Sequence, residues 1–238
     1  MRSNPENILI LGAGAIGNAL VDNFKKAYPT SNIIYTSRTC CNDELQCWQH
    51  NPLKDESWKK LQSRLKEKLD HLDIVISTYG SLYTAEYGPE KKLEDINMAQ
   101  MLETFQVNAF SAPLSAKYLL PFFRNEKRSV LAFLSAKVGS ISDNRMGGWY
   151  SYRASKTALN MFIKNISIEY DRLKLNTSVL AIHPGTTKSK LSEPFLSSTN
   201  LKAWTPEETA EHIIQTISSS APKESGVFKN WDGINLPW

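Results

Sequence analysis

Short apolar runs alternate along this chain with longer stretches whose apolar residues recur at helical spacing, and this alternation restricts the fold more than any other feature. Ile8-Leu9-Ile10-Leu11, Ile33-Ile34-Tyr35-Thr36, Asp73-Ile74-Val75-Ile76-Ser77, Val130-Leu131-Ala132-Phe133-Leu134 and Thr177 to Ile182 read as strands. Helical stretches intervene: one through about Lys26, a charged one from Lys59 to Asp70, one around Ile96 to Phe123 and one from about Tyr150 to Leu173. Another opens at Thr205-Pro206-Glu207-Glu208, where a capping hydroxyl, a first-turn proline and a Glu three residues after the cap coincide. With every strand before the last followed by a helix, neighbouring strands run parallel and are covered on both faces. The expectation is an α/β fold, a doubly wound parallel sheet in three α/β/α layers, forming one domain over residues 1–238. Ligands of such sheets bind outside the carboxyl ends of the strands, so chemistry is sought in the residues that follow each run.

Composition excludes several classes. A chain of 238 residues that is 41% hydrophobic and 22% charged buries roughly 70–75% of its unfolded surface and needs no disulfide or metal staple. Its longest apolar runs, Ile8 to Leu11 and Val130 to Leu134, fall far short of the ~18 residues of a membrane span. The opening Met1-Arg2-Ser3-Asn4-Pro5-Glu6 leaves no room for a signal peptide, which predicts a cytoplasmic protein. Cys40, Cys41 and Cys47 lack the paired spacing of a zinc site, and His50, His71, His183 and His212 are dispersed, so reduced thiols and no metal are expected. His183, before Pro184 at a strand end, is read as packed and hydrogen-bonded. The net charge of +4 is scattered; in the charged helix Leu61, Leu65 and Leu69 share one side, leaving the charges to solvent, and no nucleic-acid partner is expected.

Gly12-Ala13-Gly14-Ala15-Ile16-Gly17 lies between the first strand and the first helix. Glycines there permit a tight turn and bring backbone N–H groups to a pyrophosphate at the positive end of a helix. At the end of the second strand, where an NAD site places a carboxylate on the ribose, the chain reads Thr36-Ser37-Arg38. A hydroxyl and a planar guanidinium suit a 2′-phosphate, so NADP(H) is favoured over NAD(H).

Tyr152 and Lys156 begin the helix after the Val130 strand. Four residues apart they share a face, with Cβ atoms about 5–6 Å apart. Bringing a phenol from its ordinary pKa near 10 to about 7 takes roughly 4 kcal/mol of preference for the phenolate. Burial acts the other way, so Lys156 is expected to supply that preference.

Taken in order, Gly12-x-Gly14-x-x-Gly17, Asn108 within Phe105-Gln106-Val107-Asn108-Ala109, Ser135, Tyr152-x-x-x-Lys156 and Pro184-Gly185 resemble the short-chain dehydrogenases/reductases over nearly the whole chain. Gly139 to Lys156 and Gly226 to Trp238 resemble the C-factor-like subgroup in particular. The resemblance implies a Rossmann-type domain in which Tyr152 exchanges a proton with a carbonyl or alcohol oxygen and Lys156 lowers its pKa and binds the nicotinamide ribose. It further implies that Asn108 holds a relay water and that Ser135, with Ser140 as the alternative, orients the substrate oxygen. The cofactor would be held by Gly12, Gly14, Ala15, Ile16, Gly17, Ser37, Arg38, Asn51, Thr78, Tyr79, Gly80, Tyr152, Lys156, Pro184, Gly185, Thr187 and Ser189. The chain departs from the family where the usual S-x-x-G reads Ala136-Lys137-Val138-Gly139, where Asn-Asn-Ala-Gly reads Ser77-Thr78-Tyr79-Gly80, in a glycine loop one residue short, and in Asn51 for the adenine-contacting acid.

Residues 186–204 read as a lid over the substrate, and Phe195 and Trp204 within it, with Tyr79, Met146 and Trp149, point to an apolar carbonyl. The helices bearing Asn108 and Tyr152 form subunit interfaces in that family, which implies a homodimer or homotetramer acting on a small molecule. Two functions follow: an NADP(H)-dependent carbonyl reductase or alcohol dehydrogenase, and a non-catalytic nucleotide-binding sensor or signalling protein. Epimerase or dehydratase chemistry has little room, with only about 50 residues after Pro184 for a substrate domain.

Overall fold

The computed structural model describes residues 4–39, 42–84, 86–196, 202–221 and 224–238. Its elements run β1 (Asn7–Leu11), α1 (Ala15–Ala27), β2 (Asn32–Ser37), β3 (Cys47–Gln49), α2 (Asp55–Lys66), β4 (Ile74–Ser77), α3 (Met98–Phe105), α4 (Ser111–Leu119), β5 (Ser129–Leu134), α5 (Tyr150–Arg172), β6 (Thr177–His183), β7 (Thr186–Thr187), α6 (Glu193–Leu196), β8 (Ala203–Trp204), α7 (Pro206–Ser219) and β9 (Val227–Asn230). A seven-stranded sheet is ordered β3-β2-β1-β4-β5-β6-β9, every pairing parallel.

Side chains alternate across these strands into two cores. Leu9, Leu11, Val75, Leu131, Phe133, Val179 and Phe228 pack against α2, α4 and α5 through Trp58, Leu61, Leu65, Leu119, Leu159 and Ile163. Ile8, Ile10, Ile76, Ala132, Leu134 and Leu180 pack on the other face against Leu20 and Phe24 of α1 and Ala210 and Ile213 of α7. The strand order reverses between β1 and β4, which leaves a crevice at their carboxyl ends.

Two features depart from the sequence reading. Among the described residues no helix lies between β2 and β3, and β3 pairs parallel with β2. β9 also escapes that reading: Val227-Phe228-Lys229-Asn230 is too short to show a period, and its pairing with β6 makes it a strand. Cys40 and Cys41 lie outside the described residues, and Cys47 is buried in β3. Among the described residues no helix is long and apolar enough to cross a membrane.

Candidate active site

Two turns form the walls of the crevice. Gly12 follows β1 at φ +107°, and its N–H donates to Thr36 Oγ1 at 3.1 Å. A Cβ there would lie 2.7 Å from Thr78 Oγ1, so positive φ and close packing both demand glycine. A Cβ on Gly17 would lie 2.0 Å from the Gly12 carbonyl oxygen, which is how α1 approaches the turn. At Gly14 the same atom would meet nothing within 4 Å: this glycine borders open space. It also precedes α1 without a side-chain cap, and the first turn carries no acid. The N–H groups of Ala15, Ile16 and Gly17 therefore face that space as donors at the positive helix end, an arrangement that fits a pyrophosphate.

On the β4 side, Thr78 N–H donates to Leu11 O at 2.9 Å, and its hydroxyl reaches the Leu11 and Gly12 carbonyls. Tyr79, expected to line the cofactor and substrate space, instead lies beneath the glycine turn. Its hydroxyl sits 3.2 Å from Thr36 Oγ1, its ring packs on the main core, and burial raises its pKa. Farther out, Ser37 ends β2, Arg38 is exposed, and Gln49 donates its amide to the Arg38 carbonyl at 3.2 Å. Asn51 uses Oδ1 to accept the Leu53 N–H, in a local turn ahead of α2.

The reactive end is assembled by α5. Tyr152 and Lys156 stand one turn apart; the Lys156 ammonium lies 6.0 Å from the phenol ring centroid and donates to the Leu134 carbonyl at 2.9 Å. The Tyr152 hydroxyl has no hydrogen-bond partner among the described residues. Burial pushes that phenol up to about 12 and the Lys156 ammonium down to about 8. The ammonium is turned to a backbone carbonyl, and desolvation acts on both groups. Gly80 links the two ends, since a Cβ there would lie 3.6 Å from Lys156 Nζ and 3.9 Å from Asn108 Oδ1.

Asn108 occupies a π-helical turn, Gln106–Phe110, between α3 and α4. It accepts the Ser81 N–H at 2.7 Å and donates to Ser81 O at 2.8 Å and to Ser155 Oγ at 3.0 Å. Ser155 in turn donates to the Tyr152 carbonyl. Ser81 and Ser155 escaped the sequence reading; only Ser155, in the turn between Tyr152 and Lys156, carried any signal, its side of α5.

Ser135 corrects an expectation. It continues the face of Leu131 and Phe133, and its Oγ donates to Asn160 at 2.6 Å, two turns along α5 from Tyr152. Strand alternation turns it to α5, while Ala136 takes the next position. The alternative, Ser140, accepts the Asp143 N–H at 3.2 Å within its own turn. His183 is packed as expected, and burial lowers its pKa to about 4, but its buried Nδ1 has no partner among the described residues.

Beyond β6, Pro184 is followed by Gly185 at φ +78°, where a Cβ would touch Trp204 and Trp231. Thr187 Oγ1 lies 2.9 Å from Thr209 Oγ1 of α7, and Ser189 N–H donates to Ser192 Oγ at 3.1 Å. β7 and β8 pair as a small ribbon at the base of this segment, while residues 197–201 lie outside the described ones. The aromatics divide differently from expectation. Phe195 of α6 meets Trp149 at 5.4 Å and Tyr83 at 6.4 Å, and Trp149 meets Tyr152 at 6.2 Å between ring centroids. Tyr83, in an aperiodic loop, gave no sequence signal. Trp204 packs instead against Trp231 and His212, and Met146 is 90% exposed.

Residues 6–200 match the family model described as short chain dehydrogenase. Among characterised relatives, 1-hydroxy-2-glutathionyl-2-methyl-3-butene dehydrogenase of Rhodococcus sp. (strain AD45) is 32% identical over 183 residues, 77% of this chain and 76% of that protein. The C-signal of Myxococcus xanthus is 30% identical over 146 residues, 61% of this chain and 83% of that protein. A solved NADPH-bound carbonyl reductase from chicken fatty liver shares the fold, with a TM-score of 0.81 at 22% identity over 100% of both chains.

Proposed function

The chain belongs to the short-chain dehydrogenase/reductase family of oxidoreductases, and from that premise we propose that it reduces a small carbonyl compound with NADPH, Tyr152 being the proton donor. One observation carries this reading: a phenol without a hydrogen-bond partner among the described residues stands one helical turn from a buried ammonium, and that ammonium borders Gly80, two residues past the Thr78 that bonds the glycine turn. A nicotinamide cofactor bound at the glycine turn would supply the hydride. As hydride reaches the carbonyl carbon, Tyr152 gives its proton to the oxygen, yielding the alcohol and a phenolate beside the Lys156 ammonium. With its pKa pushed up to about 12, the phenol stays protonated through the neutral range, the state that reduction requires. Asn108, clamped by Ser81 and Ser155, holds the α3–α4 junction against the start of α5. Ser135 serves as a support beneath α5 rather than as a contact to the substrate oxygen.

Arg38 and Ser37 support NADP(H) over NAD(H), since Arg38 rather than a carboxylate directly follows β2, where a 2′-phosphate would sit. Ala15 and Ile16 with the three glycines would take the pyrophosphate, and Gly80, Pro184, Gly185, Thr187 and Ser189 would border the nicotinamide end. Residues 186–204 act as a lid whose Phe195 meets Trp149 and, with Tyr83, offers the substrate an apolar wall. The exposed Leu102, Phe110, Met161 and Ile168 on and between α3 and α5 support a homodimer or homotetramer. Sedimentation at monomer mass across concentrations would count against that assembly. No observation favours a binding-only sensor.

Tyr152→Phe is the decisive variant. Turnover of a carbonyl panel (benzaldehyde, acetophenone, menadione), followed by NADPH absorbance, should vanish while NADPH binding, measured by fluorescence, is retained. Full turnover overturns the assignment of the proton donor.

A further inference from the structure

The helix that carries Tyr152 starts from an unusual approach. Gly147, Gly148 and Trp149 all have positive φ, at 64°, 64° and 50°, a conformation that costs a non-glycine residue such as Trp149 free energy. Trp149 is the residue that should cap α5, and its side chain makes no capping hydrogen bond. The acceptor comes from elsewhere. Glu90, 61 residues earlier and only 1% exposed, accepts the Ser151 N–H at 3.3 Å on both carboxylate oxygens and also accepts the Ser151 hydroxyl. Its own carbonyl accepts the Trp149 N–H at 2.5 Å.

Ser151 is the second residue of α5, where an N-cap side chain ordinarily places its hydrogen bond, and Tyr152 is the third. Both donors of Ser151, its N–H shared between the two carboxyl oxygens and its hydroxyl, are thus taken by Glu90 at the positive end of a helix of 23 residues. The segment around Glu90 is itself fixed, because Gln100 of α3 donates to Gly88 O at 2.8 Å and Asp95 accepts the Lys91 and Lys92 N–H groups. Arg153 holds the other side of the left-handed run through the Gly147 and Gly148 carbonyls.

We propose that Glu90 is a positioning residue for Tyr152, the buried capping acceptor that fixes the first turn of α5 and with it the direction of the phenol. The proposal rests on the proton-donor reading above. A first turn released from Glu90 could unwind by a residue, and displacing a reacting group by about 1 Å can cost up to about a hundredfold in rate. The glycine turn lies at the other end of the crevice, so cofactor affinity should be spared.

The test compares Glu90→Ala, Glu90→Gln and Ser151→Ala with the unmodified protein, using whichever carbonyl of the panel it turns over. In Glu90→Ala, kcat should fall about tenfold or more while the NADPH Kd stays within about twofold. Glu90→Gln keeps an amide oxygen for the Ser151 N–H and should recover kcat to within about threefold of the unmodified protein. A Glu90→Ala kcat within about twofold of the unmodified value, or kcat and NADPH affinity falling together, overturns the proposal. If Glu90→Ala does not fold, Ser151→Ala decides: kcat should drop about threefold or more with NADPH binding kept, and an unchanged kcat overturns it. Tyr152→Phe, assayed alongside, separates the two failures. A fully active Tyr152→Phe sinks the proton-donor reading itself, whereas an inactive one beside an unimpaired Glu90→Ala sinks only the role of Glu90.

Discussion

Gly17 and Arg38 differ in how a single side chain bears on the proposed cofactor groove. A methyl group on Gly17 would sit 2.0 Å from the Gly12 carbonyl oxygen, a backbone atom that cannot swing aside. Gly17→Ala should cost about 1–3 kcal/mol of stability and weaken NADPH binding more than about tenfold, read by chemical denaturation and fluorescence titration. Arg38, exposed at the rim, is proposed to act through its charged, planar guanidinium. Arg38→Ala should raise the NADPH Kd about tenfold and leave the NADH Kd within about twofold; equal effects on both cofactors would refute a 2′-phosphate contact. Tyr152, Lys156 and the glycines were legible in sequence because their spacing encodes their geometry. Ser135 and Tyr79 were not, since the way a residue turns at the end of a strand depends on the pleat and on what covers it.

Elements were legible in proportion to their length and local signals. Thr205-Pro206-Glu207-Glu208 announced α7, and both reciprocal hydrogen bonds of the capping box are present, Glu208 N–H to Thr205 Oγ1 at 3.1 Å and Thr205 N–H to Glu208 Oε2 at 2.8 Å. The Thr205 backbone N–H also holds the Glu208 carboxyl below its ordinary pKa. Thr205→Ala should therefore lower stability by about 1 kcal/mol with activity intact, as thermal melts would show. α5 lacks any such local start signal, because its capping acceptor comes from Glu90 in a distant loop. β3 and β9 are too short for periodicity, and only their neighbours β2 and β6 define them.

At the scale of the molecule, burial couples stability to pH through two histidines. Desolvation lowers His50, at the end of β3, and His183, at the end of β6, from 6.5 to about 4. Between those values the unfolded chain binds protons that the folded one refuses. The stability these neutral rings contribute is complete above about pH 6.5 and is lost as pH falls toward 4, about 3 kcal/mol for each. Urea midpoints should fall between pH 7 and pH 4.5 by less in His50→Gln than in the unmodified protein; an equal fall would show that His50 titrates normally. By itself the sequence determined the doubly wound fold, the glycine turn and the Tyr152 and Lys156 pair, because alternation of periods and spacing along one helix are local properties of a chain. Only tertiary structure decided what surrounds them: Glu90 on the first turn of α5, Asn160 on Ser135, Leu134 on Lys156, and the burial that raises the phenol pKa. Those contacts join residues far apart in sequence, and their energies depend on exclusion from water, which no local pattern records.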